Sequence, residues 1–295
     1  GLHGLSKRID KSITWRPNII LFSGPVKRRP HLIELAKMLV GKPGIFTNFE
    51  LVESAPDQVP LTKTEQTTTE LDVSGKYVFS RKHVCSDLFD GIDNISRFYG
   101  FSGFEPNTVL MGWPHRHKDP ERFSKSLKNL KSLDLNTVLL SYRKLTGFGN
   151  KANIDFWWNG TGRNLSFALT LLRYITSSPD WRHAQVRILV ISYESQQTEK
   201  LYRSIRQALN KNHINARIKV IHNNIEQIPE SKIIKAESLH TDLSIIEIPD
   251  QAYSNLLTVF SSIDETLELI DTALVINASS AFEELNAASL KETRP

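Results

Sequence analysis

Ser23-Gly24-Pro25-Val26-Lys27 brings a hydroxyl, a position without a side chain and an ammonium together where an apolar run gives way to a helical pattern. In an open α/β sheet, ligands settle beyond the carboxyl ends of the strands. A glycine there lets a phosphate or ribose approach the backbone, and a lysine supplies charge. Ser23, Gly24, Pro25 and Lys27 are therefore where a nucleotide, ATP or another adenine nucleotide, is expected if one binds. The competing reading is a strand-to-helix turn with a solvated lysine.

Other constellations carry weaker chemistry. Gly147-Phe148-Gly149-Asn150-Lys151-Ala152 matches the dinucleotide pattern G-x-G-x-x-A. The pattern works by opening a helix toward a pyrophosphate, whereas here a strand-like run, Ile154 to Trp158, follows. Asn159-Gly160-Thr161-Gly162-Arg163-Asn164 does run from strand to helix, and its free N–H groups could hold an anion or simply form a capped turn. His115 and His117 have no nearby cysteine or acidic pair to complete a metal site. His83 and Cys85 share a strand face but lack a third orienting group, so a Cys-His nucleophile is not expected. Trp157-Trp158 points to opposite faces of a strand, one into the core and the other toward a helix layer or a partner. No G-x-S-x-G, H-E-x-x-H or C-x-x-C occurs, and no catalytic or metal-binding set is expected.

The elements that must position these groups alternate. Asn18 to Phe22, Ile45 to Val52, Tyr77 to Phe79, Thr108 to Gly112 and Thr137 to Leu140 read as strands. Leu32 to Val40, Asp87 to Tyr99 and Glu121 to Leu133 read as helices. Asp57 to Lys76 is polar and threonine-rich and reads as a loop. The glycine-bearing link Leu145 to Asn150 sets the expected boundary between an N-terminal α/β subdomain, 1–150, and a C-terminal one, 151–295. In the latter, Ile154 to Trp158, Val186 to Ile191, Ala216 to Ile221, Leu243 to Ile248 and Leu274 to Ile276 read as strands. Asn164 to Ile175, Thr198 to Leu209 and Ser262 to Ile270 read as helices, and Gln227 to Thr241 as a polar connection. Trp15-Arg16 and Trp181-Arg182 each precede a strand, a faint echo between the halves. The fold class is thus α/β: two related subdomains, each a mostly parallel sheet flanked by helices.

Composition is that of a globular protein, 40% apolar and 23% charged. No apolar run approaches the roughly 20 residues of a membrane helix, and the start GLHGLSKRID lacks the apolar core of a secretory signal. One cysteine precludes an internal disulfide. The net charge of +5 suits an anionic partner or a mildly basic surface with none. Scattered charge, without zinc-finger or aromatic RNA-binding patterns, argues against nucleic acid.

Several segments taken together resemble the cytosolic C-terminal domain of the cation-chloride cotransporters, in that family's order. Trp15-Arg16-Pro17 leads into Ile19 to Phe22, Ser23-Gly24-Pro25 and Arg29-Pro30. Leu88 to Pro114 joins a helix, a glycine-bearing turn, Pro106-Asn107-Thr108 and a strand closed by Gly112-Trp113. Ile154-Asp155-Phe156-Trp157-Trp158 is followed by Leu169-Thr170-Leu171-Leu172, then by Trp181 and Val186-Arg187-Ile188. The resemblance spans most of residues 15–195.

It implies two subdomains similar to universal stress proteins. It implies also a regulatory, non-catalytic domain that forms a homodimer and meets the membrane transport domain of the same polypeptide. The site of action would be the cytoplasmic side of the cell membrane, where the whole protein moves sodium or potassium with chloride by symport. Some members hold a nucleotide near the first strand-to-helix turn, here Ser23, Gly24 and Pro25. The short Gln227 to Thr241 link does not match the long phosphorylated insertions of animal members and points to a compact prokaryotic homologue. The rival expectation is a stand-alone nucleotide-binding protein of the universal stress class.

Overall fold

The computed structural model describes residues 15–23, 29–41, 45–54, 65–71, 77–99, 105–115 and 119–288. They divide into two compact units between Leu140 and Ser141. The link 145–150 lies inside the second unit as a run of turns, pinned by Phe148 against Tyr142 and Trp181 at ring distances of 5.5 and 6.2 Å.

In the first unit the strands are β1 (Ile19–Ser23), β2 (Ile45–Glu53), β3 (Glu65–Leu71), β4 (Tyr77–Cys85), β5 (Thr108–Gly112) and β6 (Asn136–Ser141). Their order across the sheet is β6-β5-β1-β2-β4-β3. All pairings are parallel except that of β3 with β4. Every residue of β1 is buried, as a central strand covered on both faces requires. Helix α1 (Pro30–Val40) opens with proline at its first turn and buries Leu32, Leu35, Ala36 and Leu39, the i, i+3, i+4, i+7 stripe. Each of those leucines contributes about 2 kcal/mol by leaving water.

Helix α2 (Leu88–Phe98) is capped by Asp87, which accepts from the N–H groups of Phe89 and Asp90. Helix α3 (Pro120–Ser132) is capped by Asp119. Arg122 of α3 bonds Asp90 and Asp93 of α2, and Ser126 donates to Asp93. Asn107 ties the unit's strand starts together. Its Oδ1 accepts from the Asn18 N–H at 2.9 Å, its Nδ2 donates to the Arg16 carbonyl, and its carbonyl accepts from the Asn136 N–H. The Pro106-Asn107-Thr108 motif is thus a structural pin.

In the second unit the main strands are β7 (Asn153–Trp158), β9 (Gln185–Ser192), β10 (Ala216–His222), β11 (Leu243–Glu247) and β12 (Ala273–Asn277), in the order β10-β9-β7-β11-β12, all parallel. Helices α4 (Asn164–Ser177), α5 (Thr198–Lys211), α6 (Glu230–Ser238) and α7 (Leu256–Leu269) alternate with them. Two short strands, β8 (Thr161–Gly162) and β13 (Leu285–Asn286), pair antiparallel. Both units are therefore α/β with a mostly parallel sheet.

In each unit the strand order reverses beside its first strand. The flanks are β2 and β5 for β1, and β9 and β11 for β7. These are the topological switch points at which an open sheet leaves a crevice. Trp15 precedes β1, whereas Trp181 precedes β9, the second long strand of its unit, so the tryptophan echo does not mark equivalent positions.

Two segments depart from the sequence reading. The loop expected over 57–76 contains β3, an edge strand. Threonines favour extended backbone, and an edge strand needs no continuous apolar face. The connection expected over 227–241 contains α6, whose buried positions are Ser231, Ile233, Ile234 and Ser238. Serines supply half of that buried set, which conceals the apolar period.

Candidate functional site

Ser23 closes β1 at the first unit's switch point and is buried. Its hydroxyl donates to Asn48 Oδ1 on β2. Asn48 is 1% exposed, and among the described residues its Nδ2 has no hydrogen-bond partner. A buried donor left unserved is costly, so it marks a place where an acceptor would be welcome. The register Phe22↔Met111 sets Ser23 beside Gly112, the end of β5. Arg29, at the N-terminal boundary of α1, sends its guanidinium across that end. A Cβ on Gly112 would stand 3.2 Å from Arg29 Nη1, so the absent side chain leaves room for the arginine. Arg29 is exposed and makes no ion pair among the described residues. Hydroxyl, amide and guanidinium together offer hydrogen-bond donors and positive charge, the chemistry of an anion site. Gly24, Pro25 and Lys27 lie outside the described residues.

The second unit treats its glycine-bearing turns differently. In the Gly147 to Ala152 segment, the N–H groups of Asn150, Ala152 and Asn153 donate to the Asp242 carboxylate at 3.0, 2.8 and 2.9 Å. Gly149, at φ +57°, has no room for a Cβ because Asp242 fills the space. This turn is an anion nest whose anion is an aspartate of the chain itself.

The Asn159 to Asn164 turn at the end of β7 is covered by residues 282–288. The N–H groups of Ala287 and Ala288 donate to the Gly160 carbonyl at 2.8 and 3.0 Å. A Cβ on Gly160, at φ +92°, would meet Ala288 Cβ at 2.7 Å. Arg163 donates to the Phe282 carbonyl, Ser166 to that of Glu283, and Phe282 packs on Phe167 at 5.0 Å.

Beneath the same turn lies Glu247, last residue of β11, its two carboxyl oxygens buried and without a well-formed hydrogen bond. Burial holds its pKa well above the carboxylate range against the opposing effect of the Asn159 backbone and the Asn164 side chain, and the nearby Asp250 charge adds to the rise. Asn164 in turn accepts from the Ala278 N–H at 2.8 Å and donates to the Ile248 carbonyl.

Toward the amino end of β7 lies a polar core. Asp155, 1% exposed, accepts from Arg187 Nε and Nη2 at 2.8 and 2.7 Å, and from Ser238 and Thr241 at 2.8 and 2.6 Å. Trp157 Nε1 donates to Ser238 Oγ, while Trp158 Nε1 donates to the Thr161 carbonyl. Both tryptophans are buried, one on each face, so neither is held out for a partner.

Cys85 is buried, and burial, then the charges of Glu53, Asp87 and Asp90, push its thiol up to about 11, leaving it protonated at neutral pH. His83 has its pKa lowered by burial. The pair does not make a thiolate nucleophile. His115 is exposed, His117 lies outside the described residues, and no cluster of three or more metal-ligating side chains occurs among the described residues. No helix among the described residues is long and apolar enough to cross a membrane.

Asn48, Arg29, Gly112, Asp242 and Glu247 are not singled out as site residues by sequence alone. Asn48 had a signal, a lone amide inside the apolar run of β2. The carboxylates had none, since Asp242 reaches a turn about ninety residues away in the chain.

No family model matches the sequence. The fold is similar to the cytoplasmic domain of a prokaryotic cation chloride cotransporter, with a TM-score of 0.61 at 14% identity, over 94% of this chain and all of that one. It is also similar to a universal stress protein from Archaeoglobus fulgidus DSM 4304, with a TM-score of 0.53 at 11% identity, over 89% of this chain and 97% of that one. At these identities the likeness establishes the fold: helices flanking a mostly parallel sheet, in the arrangement of universal stress proteins.

Proposed function

We infer that this chain is the cytoplasmic domain of a cation-chloride symporter, a regulatory module without catalysis of its own. The observation that carries the reading is the likeness over the whole length of the prokaryotic cotransporter domain, closer than that to the universal stress protein. The order of motifs from Trp15 to Ile188 supports it. On this reading the domain pairs with a second copy and acts on the membrane transport domain of the same polypeptide. The transported sodium, potassium and chloride are bound there. The protonated Cys85 and the self-satisfied turns of the second unit agree with a role in contact rather than chemistry.

The second reading, a stand-alone nucleotide-binding protein of the universal stress class, is favoured by one feature, the Ser23–Asn48 pair with Arg29 at the first switch point. Light scattering on the chain, repeated with millimolar ATP, separates the two. A concentration-dependent dimer indifferent to ATP supports the symporter domain. A monomer whose melting temperature rises with ATP supports the nucleotide-binding protein.

A further inference from the structure

Residues 282–288 lie over the carboxyl end of β7 as a strap fastened at few points. Phe282 and Ala287 are buried, whereas Glu283, Glu284 and Asn286 are exposed. Strap and turn pair as strands through β13 and β8, a ladder of 2 residues on each side. So short a ladder is marginal by itself. The strap's two carboxylates meet cations at the surface, Glu283 with Lys211 at 3.0 Å and Glu284 with Arg163 at 3.8 Å. Exposed pairs of this kind stabilise little. Lifting the strap therefore costs far less than unfolding the sheet below it.

Glu247 lies where both ends of the strap are fastened. At one end, the Gly160 carbonyl accepts from Ala287 and Ala288, and the preceding residue, Asn159, reaches the Glu247 carboxyl with its backbone. At the other, the Asn164 side chain accepts from the Ala278 N–H and reaches the same carboxyl. Glu247 as a whole is half-buried, but both its carboxyl oxygens are enclosed, and among the described residues no cation pairs with it. The charged groups that bear on it are Asp250, in the turn after β11, and Glu230, at the start of α6, and both are acidic. Tyr253, buried near Asp250, stays neutral. Toward β12 the register sets Glu247 beside the apolar Ile276. The strap's own cations, Arg163 and Lys211, are held by Glu284 and Glu283. A neutral carboxyl is tolerated in such a place. An ionised one needs water or a cation, and lifting the strap admits water.

We propose that residues 282–288 are a proton-controlled strap: a neutral Glu247 lets it close over the end of β7, and ionisation of Glu247 releases it. Release bares the Asn159 to Asn164 turn and frees Arg163 and Lys211. Closed, the strap keeps other molecules from the second switch point. The proton is bound more tightly with the strap closed than open. Closure is therefore full below the ordinary carboxylate range and is lost as pH rises toward the closed-state value.

Hydrogen exchange of the full chain, read by mass spectrometry and corrected for the intrinsic pH dependence of amide exchange, follows the strap directly. From about pH 5 upward, protection of the 282–288 segment should fall about tenfold per pH unit until the closed-state value is reached. Over the same range β9 is expected to keep its protection. Glu247→Gln, neutral at every pH, should remove the fall. Asp250→Asn takes away a neighbouring negative charge and should end the fall at a lower pH, which gives the assignment to Glu247 a second readout. Protection of the strap that does not change with pH overturns the proposal. So does a fall that β9 shares, which is unfolding of the whole unit, and so does a fall that Glu247→Gln retains.

Discussion

At the carboxyl end of β1, the Ser23 hydroxyl serves half of the Asn48 amide, and among the described residues the other half has no partner and Arg29, which crosses Gly112, makes no ion pair. At the carboxyl end of β7, residues 282–288 lie over the Gly160 turn and Glu247 is enclosed below it. At the opposite, amino end of β7, in the 147–153 turn, Asp242 occupies three backbone N–H groups. The two units share the order of their five parallel strands and a switch point, yet among the described residues the crevice end of the first leaves donors unserved, whereas that of the second is covered by residues 282–288 with Glu247 below. Topology places a crevice, but the side chains and tails that fill it decide whether anything else can enter. Among the described residues, the first switch point therefore has donors to spare, and the second is covered by the chain itself.

The strongest way to break this contrast is to open the second unit's polar core. Asp155→Ala takes from Arg187 its buried carboxylate partner, leaving it Glu237, and removes the acceptor for Ser238 and Thr241. The chain should lose about 3 kcal/mol in urea unfolding, the lower end of the usual cost because Arg187 keeps Glu237 and some water. Asp242→Ala leaves three backbone donors without their acceptor and should cost about 2 kcal/mol by the same measurement. A smaller loss there would mean that water serves the nest and that the turn is open after all.

The next effect lies in pH. Glu247 has a raised pKa in the folded chain, so the native state holds its proton more tightly than the unfolded state. The stability this gives is full below the unfolded value near 4.5 and is lost as pH rises through the folded value. Glu247→Gln should flatten the stability profile over that range and leave the variant the more stable one at alkaline pH. A profile identical to the parent's would place Glu247 in contact with water. The smallest effect belongs to the first unit. Arg29→Glu, at an exposed position without an ion pair among the described residues, should change stability by less than about 0.5 kcal/mol. The same change should abolish any shift of melting temperature produced by millimolar ATP.

The α/β class was legible because buried parallel strands write themselves as unbroken apolar runs. Ile19 to Phe22, Val109 to Met111 and Ile154 to Trp158 are short, bounded and flanked by helical stripes. Helix α6 was not, since two of its four buried positions are serines, and β3 was not, since its sequence EQTTTEL carries a single apolar residue. At the candidate site, Ser23 could be read from its place after a strand. Gly112 and Arg29 could not be joined to it, because only the parallel register of β1 with β5 brings them together. The dinucleotide-like Gly147 motif shows the converse. Its spacing is right, but the chain already supplies the anion from Asp242, and no local pattern records that.

The central claim is that this chain belongs to a membrane transporter. It is tested most directly by finding the native polypeptide with an antibody against the chain, in membrane and soluble fractions of the source cells. The account predicts a polypeptide well above the 33.6 kDa of this chain that stays with the membrane through alkaline carbonate extraction. A soluble polypeptide of 33.6 kDa would contradict it and leave the nucleotide-binding reading in its place.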